Sequence, residues 1–102
     1  MRSWSFFVES ITDIYNMTIS VEVPDYNTST GLIANWEGDF VVKTAYDGEF
    51  LLQANKEGLI SLAIQLLTLA QDSVPVGSHF HYDGRFGSLE EGSIDFVIDK
   101  IR

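Results

Sequence analysis

One helical pattern stands between two groups of strand-like segments, and this order favours an α+β fold. Asn55 occupies the position of an N-cap, and Glu57 lies in the first turn, where a negative charge suits the helix dipole. Pro75 should end the helix near Ser73. Apolar residues recur with helical spacing, which predicts a buried face made of Leu59, Leu62, Ala63, Leu66 and Ala70. The opposite face is expected to carry Gln65, Thr68, Gln71 and Asp72.

Alternating apolar and polar residues predict strands on both sides of this helix. Before it, strands are expected at residues 4–8, 17–23, 40–46 and 49–54, the last two joined by a two-residue hairpin turn at Asp47-Gly48. After it, strands are expected at residues 78–82 and 94–101, with one helical turn at residues 89–92. We therefore expect residues 1–102 to form a single domain. Its fold would be a mostly antiparallel sheet of about six strands with the one long helix packed across one face.

A loop rich in Asn, Thr, Ser and Gly is predicted at residues 24–38. Leu32, Ile33 and Trp36 are expected to anchor it on the core. For Trp36 the alternative is an exposed patch that binds a partner, since the ring combines apolar area with a polar N–H.

The charge balance is strongly acidic, with 15 Asp and Glu against 6 Lys and Arg and a formal net charge of −9. Nucleic acids and anionic membranes would repel such a chain, so we expect neither as a partner. A basic protein would be attracted to it. The alternative is that the charge serves only to keep the protein soluble. No cysteine is present, and neither a signal peptide nor a membrane span is indicated, so a cytoplasmic location is expected.

His79 and His81 are two residues apart on a predicted strand and should point to the same side. If the strand continued, Asp83 would complete a set of three metal ligands. The alternative is that Phe80 and Tyr82 are buried and the histidines simply face outward. The acidic groups Glu90-Glu91 with Asp95 and Glu37 with Asp39 indicate solvated surface. No phosphate-binding loop, nucleophile elbow or catalytic triad is recognisable, so we expect neither an enzyme nor a cofactor.

The second half of the chain resembles a known family. Its signals are Asn55-Lys56-Glu57-Gly58-Leu59 with the helix, the segment Val76-Gly77-Ser78-His79-Phe80-His81-Tyr82-Asp83, and Leu89-Glu90-Glu91-Gly92-Ser93 before the last strand. These features, over residues 50–98, resemble the immunity protein 32 family of bacterial polymorphic toxin systems. The resemblance implies a protein that neutralises a cognate toxin by binding it, and the acidic charge suggests a basic, nuclease-type toxin. It carries over no toxin-contacting residues.

The partner-binding surface is expected to join the histidine face, the loop at residues 83–88 and the acidic pair that follows it. The candidate residues are His79, His81, Asp83, Arg85, Phe86, Glu90 and Glu91, with Trp36 as a further candidate. Two other functions remain open at this point. One is a small metal-binding protein or enzyme using His79, His81 and Asp83. The other is a homo-oligomeric structural module with the exposed side of the helix as its interface.

Overall fold

The computed structural model describes residues 2–9 through their backbone, and residues 16–85 and 87–102 in full. The elements follow the predicted order around one long helix. They are β1 (Arg2–Glu9), β2 (Asn16–Val23), β3 (Val42–Tyr46), β4 (Phe50–Ala54), α1 (Lys56–Ala70), β5 (His79–Tyr82) and β6 (Phe96–Asp99). Within the described residues, no helix is long and apolar enough to cross a membrane.

Each strand pairs in antiparallel fashion with its neighbour along the chain, which gives the ladders β1–β2, β3–β4 and β5–β6. The expected α+β class, with one helix and antiparallel pairing, is confirmed. The expected single sheet of about six strands is wrong, because the described residues form three separate ladders of two strands each.

Residues 90–94 lie beside β3 without forming a regular strand. The Glu90 N–H donates to the Val42 carbonyl at 2.8 Å, and the Ile94 N–H reaches the Thr44 carbonyl at 3.4 Å. The hydroxyl of Ser93 accepts the Thr44 N–H at 3.1 Å, so a side chain replaces a ladder bond. The strand predicted at residues 94–101 is therefore shorter, and only Phe96–Asp99 pairs with β5.

Residues 89–92 do not form the predicted helical turn. The Ser93 N–H instead donates to the Glu90 carbonyl at 3.1 Å, which closes a tight turn. Gly92 has φ +86° there, a left-handed conformation that glycine adopts without a side-chain clash.

Asn55 caps α1, as predicted from its position. Its Oδ1 accepts N–H bonds from Gly58 and from Val41, both at 2.8 Å, and its Nδ2 donates to the Asp39 carbonyl at 2.9 Å. One side chain thus accepts a free N–H of the first helical turn and also fixes the backbone just before β3. The helix ends at Ala70, earlier than predicted, and Gln71 is its C-cap.

The inner face of α1 differs from the prediction. Gln65, Thr68 and Gln71, which were expected on the outer face, are almost fully buried. Leu59 and Leu66, which were expected in the core, are 55% and 49% exposed. The buried face of the helix is therefore not the face that its apolar residues predict. The reason is that the buried face must supply hydrogen-bond partners to main-chain groups of another segment.

That segment is the connection at residues 24–40, which crosses the inner face of α1. Gln71 donates to the Pro24 carbonyl at 2.9 Å and accepts the Tyr26 N–H at 3.2 Å. Gln65 donates to the Asn35 carbonyl at 3.0 Å, and the hydroxyl of Ser61 accepts the Glu37 N–H at 2.7 Å. Because main-chain groups of a buried loop need partners, these polar side chains replace the apolar ones that periodicity alone predicts.

The core lies between α1 and the inner faces of β3 and β5. It consists of Val42, Leu62, Leu69, Val74, Phe80, Tyr82 and Leu89. Leu32 and Trp36 pack against it as expected, whereas Ile33 is 39% exposed and does not.

Tyr82 is the core residue with the clearest pH signature. Its side chain is 2% exposed, its hydroxyl donates to Gln65 Oε1 at 2.6 Å, and burial raises the pKa of Tyr82 from 10.0 to about 12. Replacing Tyr82 with Phe leaves the Gln65 oxygen without this donor, so we expect a loss of about 1–3 kcal/mol in the free energy of unfolding at neutral pH.

The difference in the free energy of unfolding between the wild type and the Tyr82→Phe variant should become smaller above pH 10. The unfolded tyrosine ionises near pH 10 and the folded one only near pH 12, so wild-type stability falls as pH rises through this window. The phenylalanine variant lacks this contribution, which has a slope of up to about 1.4 kcal/mol per pH unit. Denaturant unfolding followed at pH 7, 10 and 11 measures both effects. A constant difference across this range would contradict the raised pKa.

Candidate functional site

The loop between β5 and β6 forms a cleft of about 910 Å³. Its lining residues are Asp83, Gly84, Arg85, Leu89, Glu91, Gly92, Ser93 and Asp95. Three of these residues carry carboxylates and one carries a guanidinium, so the acidic groups outnumber the basic one. We refer to this feature as the acidic cleft.

Asp83 organises one wall of the acidic cleft. Its Oδ1 accepts the Arg85 N–H at 2.7 Å, and its main-chain carbonyl accepts the Leu89 N–H at 3.2 Å. Leu89 is buried and packs in the core. The chain therefore turns directly after β5, and Leu89 brings it back to the core.

Gly84 brings the two walls together. Its N–H donates to Asp95 Oδ1 at 3.1 Å, and a Cβ placed on it would lie 2.7 Å from the Ser93 carbonyl oxygen. Only glycine allows this approach without a shift of backbone. The carboxylate of Asp95 is thus held by the residue that follows Asp83, while Glu90 and Glu91 remain exposed.

The two histidines lie on the outer side of β5, next to the acidic cleft in sequence. Their rings meet edge to face with centroids 4.8 Å apart, and His79 Nδ1 lies 2.9 Å from the Gly77 carbonyl oxygen. Phe80 and Tyr82 point inward and are buried, as the alternation predicts. The strand ends at Tyr82, so the alternation does not extend to Asp83.

The predicted set of metal ligands is not brought together. Among the described residues, no three His, Cys, Asp or Glu side chains are grouped so that they could hold a metal ion. Asp83 instead accepts a main-chain hydrogen bond within the loop. The hypothesis of a metal site formed by His79, His81 and Asp83 therefore finds no support in the geometry.

Trp36 lies on the other side of β5 from the histidines. Its ring stacks on Phe40 with a centroid distance of 4.3 Å and meets Tyr82 edge to face at 6.1 Å. It is half-buried in this aromatic group and anchors the connection at residues 24–40.

The other candidates divide between the cleft and its surroundings. Arg85 and Glu91 line the acidic cleft, and Glu90 adjoins it. Phe86 lies outside the described residues. Sequence reasoning missed Gly84 and Ser93 as cleft-forming residues. Their close approach is a tertiary contact between residues nine positions apart, for which the sequence carries no periodic signal.

The comparison with protein families agrees with the earlier resemblance. The model of the family described as Immunity protein 32 matches residues 49–101. This range contains β4, α1, β5, β6 and every residue of the acidic cleft. No curated protein and no solved structure gives a significant match.

Proposed function

Because the chain belongs to the immunity protein 32 family, we propose that it binds a cognate protein toxin and blocks the toxin's activity. The observation that supports this proposal is the family match over residues 49–101, which spans half of the chain and includes the whole acidic cleft. Binding with fixed stoichiometry, without catalysis, is sufficient for such a role.

The acidic cleft is the proposed contact surface, together with Glu90 and the outward-facing His79 and His81. Asp83 and Asp95 are held in place by main-chain hydrogen bonds, so the carboxylates are arranged before a partner arrives. Preorganised groups lose less conformational entropy on binding than mobile ones do. This surface suits Lys or Arg side chains of a partner.

The proposed toxin is a basic protein of the nuclease type. A nuclease binds a polyanion and therefore needs a positively charged substrate surface. An inhibitor with a net charge of −9 complements such a surface and steers it into contact. The inhibitor would act in the cytoplasm, where nucleic acid would otherwise be cut.

A charge reversal inside the cleft tests the proposal. Glu91→Arg places a positive group where a basic toxin should dock, and we expect it to weaken toxin binding by about tenfold or more. Glu91 is exposed, so the folded state should be preserved. The measurement is binding by calorimetry to a toxin-like protein identified from a neighbouring gene, with protection of cells during co-expression as a second readout.

Glu22→Arg is the matched control, because Glu22 is also exposed and lies on β2, outside the cleft. This substitution changes the net charge by the same amount and should leave the affinity for the toxin within about twofold of the wild-type value. If the wild-type protein neither protected cells nor bound the neighbouring toxin, the function would be wrong. Equal weakening by both variants would instead exclude the acidic cleft as the contact surface.

A further inference from the structure

Thr44, on β3, directs all its polar groups at the chain that forms one wall of the acidic cleft. Its N–H donates to the Ser93 hydroxyl at 3.1 Å, and its own hydroxyl donates to the Ile94 carbonyl at 2.5 Å. Its carbonyl lies 3.4 Å from the Ile94 N–H. Thr44 is only 5% exposed and does not line the cleft. A buried residue outside the cleft therefore holds part of the cleft wall.

The two hydroxyl groups make the shorter contacts between this wall and β3 near Ser93. The main-chain distance from the Ile94 N–H to the Thr44 carbonyl exceeds the usual range of about 2.7–3.2 Å. The Ser93 N–H is used within its own turn, where it donates to the Glu90 carbonyl. The position of Ser93 relative to β3 thus depends largely on side-chain hydroxyls.

The segment that Thr44 holds also contacts Gly84, which follows Asp83 in the cleft. A Cβ on Gly84 would lie 2.7 Å from the Ser93 carbonyl oxygen, so two stretches of backbone pack directly against each other. Two residues after Ser93, Asp95 Oδ1 accepts the Gly84 N–H at 3.1 Å. Because Ser93 and Asp95 belong to one short segment, a shift of Ser93 away from Thr44 would also move the Asp95 carboxylate.

We propose that Thr44 is a positioning residue for the acidic cleft. Its bonds to Ser93 and Ile94 fix the segment that carries Asp95 in the arrangement that a basic partner recognises. This inference rests on the proposed function, because it concerns the surface proposed to contact the toxin. Thr44 precedes the family match, whereas the residues that it holds lie inside the match.

Hydrogen exchange of the toxin-free protein tests whether Thr44 holds the wall. Thr44→Val removes the hydroxyl and keeps the β-branched shape, so the Gly84 amide should exchange about tenfold faster relative to the amides of α1. Ser93→Ala removes the acceptor of the Thr44 N–H and should have the same effect. Thr44→Ser keeps the hydroxyl and should leave the exchange within about twofold of the wild-type rate.

Thr68→Val is the matched control for loss of a buried hydroxyl. Thr68 is 1% exposed, and its hydroxyl donates to the Ile64 carbonyl at 2.7 Å within α1, outside the cleft. This variant should leave the relative exchange of the Gly84 amide unchanged.

Calorimetry with a toxin-like protein identified from a neighbouring gene tests the consequence for binding. Thr44→Val should weaken the affinity about tenfold, while Thr44→Ser and Thr68→Val should stay within about twofold of the wild type. Asp95→Asn should weaken binding in the wild-type background. The same change should matter by less than about twofold in the Thr44→Val background, because the carboxylate is already displaced there.

Three results would overturn the proposal. The first is unchanged exchange of the Gly84 amide in both Thr44→Val and Ser93→Ala. The second is full toxin affinity in a Thr44→Val protein whose Gly84 amide has lost protection, since the wall would then move without effect on binding. The third is equal weakening by Thr68→Val, which would tie affinity to stability alone. If the wild type bound no such toxin, the proposed function would fail, while exchange in the toxin-free protein would still decide whether Thr44 holds the wall.

Discussion

Replacing Gly58 with Ala is expected to lower the free energy of unfolding by about 3 kcal/mol, although alanine favours a helix over glycine by about 1 kcal/mol. A Cβ at this position would overlap the carbonyl oxygen of Val41 and come within 2.9 Å of Cγ2 of Val42. That carbonyl cannot move away easily, because it accepts the Asn55 N–H at 3.0 Å. The helix therefore packs directly on backbone at this point.

Thermal unfolding measures this effect, and a loss of this size corresponds to a melting temperature lower by roughly 15 °C in a domain of about 100 residues. Ala63→Gly is the control for intrinsic helix preference and should cost about 1 kcal/mol. A Gly58→Ala variant as stable as the wild type would show that α1 does not lie against the start of β3 as described.

Association with a basic toxin should slow by up to roughly a hundredfold when salt is raised from low concentration to well above physiological ionic strength. The physical reason is screening of the carboxylates around the acidic cleft, over a Debye length of about 8 Å at physiological ionic strength. Dissociation should change less, because contacts already formed are partly shielded from salt. Stopped-flow kinetics at several salt concentrations measures both rates.

Glu90→Gln with Glu91→Gln should slow association at low salt and flatten its salt dependence, without unfolding the protein. Glu22→Gln with Asp72→Asn removes the same charge from exposed positions outside the cleft and should have a smaller effect. If the association rate changed neither with salt nor with these substitutions, the net charge of −9 would serve solubility alone. The contact surface would then have to be apolar.

Local signals in the sequence predicted local structure well. The Asn55 cap and the outward direction of His79 and His81 each depend on a few adjacent residues. The hairpin after Tyr46 also forms where predicted, but three residues rather than two separate the paired Tyr46 and Phe50. The rotation of α1 could not be predicted in this way. Gln65 and Gln71 are buried because they bind main-chain groups of residues 24–40, and nothing in the helix itself encodes where that segment runs.

Only the local parts of the candidate site could be recognised from the sequence. The acidic residues Glu90 and Glu91 and the loop at Asp83 could be recognised from composition and turn chemistry. The cleft itself depends on Gly84 meeting Ser93 and on Ser93 bonding to Thr44. The second contact joins positions 49 residues apart, and it also explains why the expected final strand is shorter than predicted.

The way residues 24–40 are anchored determines which of their exposed positions can change. Gln71, Gln65 and Ser61 hold the segment through its main-chain groups at positions 24, 26, 35 and 37, and these hydrogen bonds do not depend on which side chains the segment carries. Leu32 and Trp36 are the two positions at which the segment is also held by its side chains. The family match begins at residue 49, so the anchoring helix lies inside it and the anchored segment outside. Exposed positions such as Thr28, Thr30 and Ile33 can therefore be substituted without loss of the hydrogen bonds that fix the path of the segment. Such an arrangement lets a new surface be selected without a new fold.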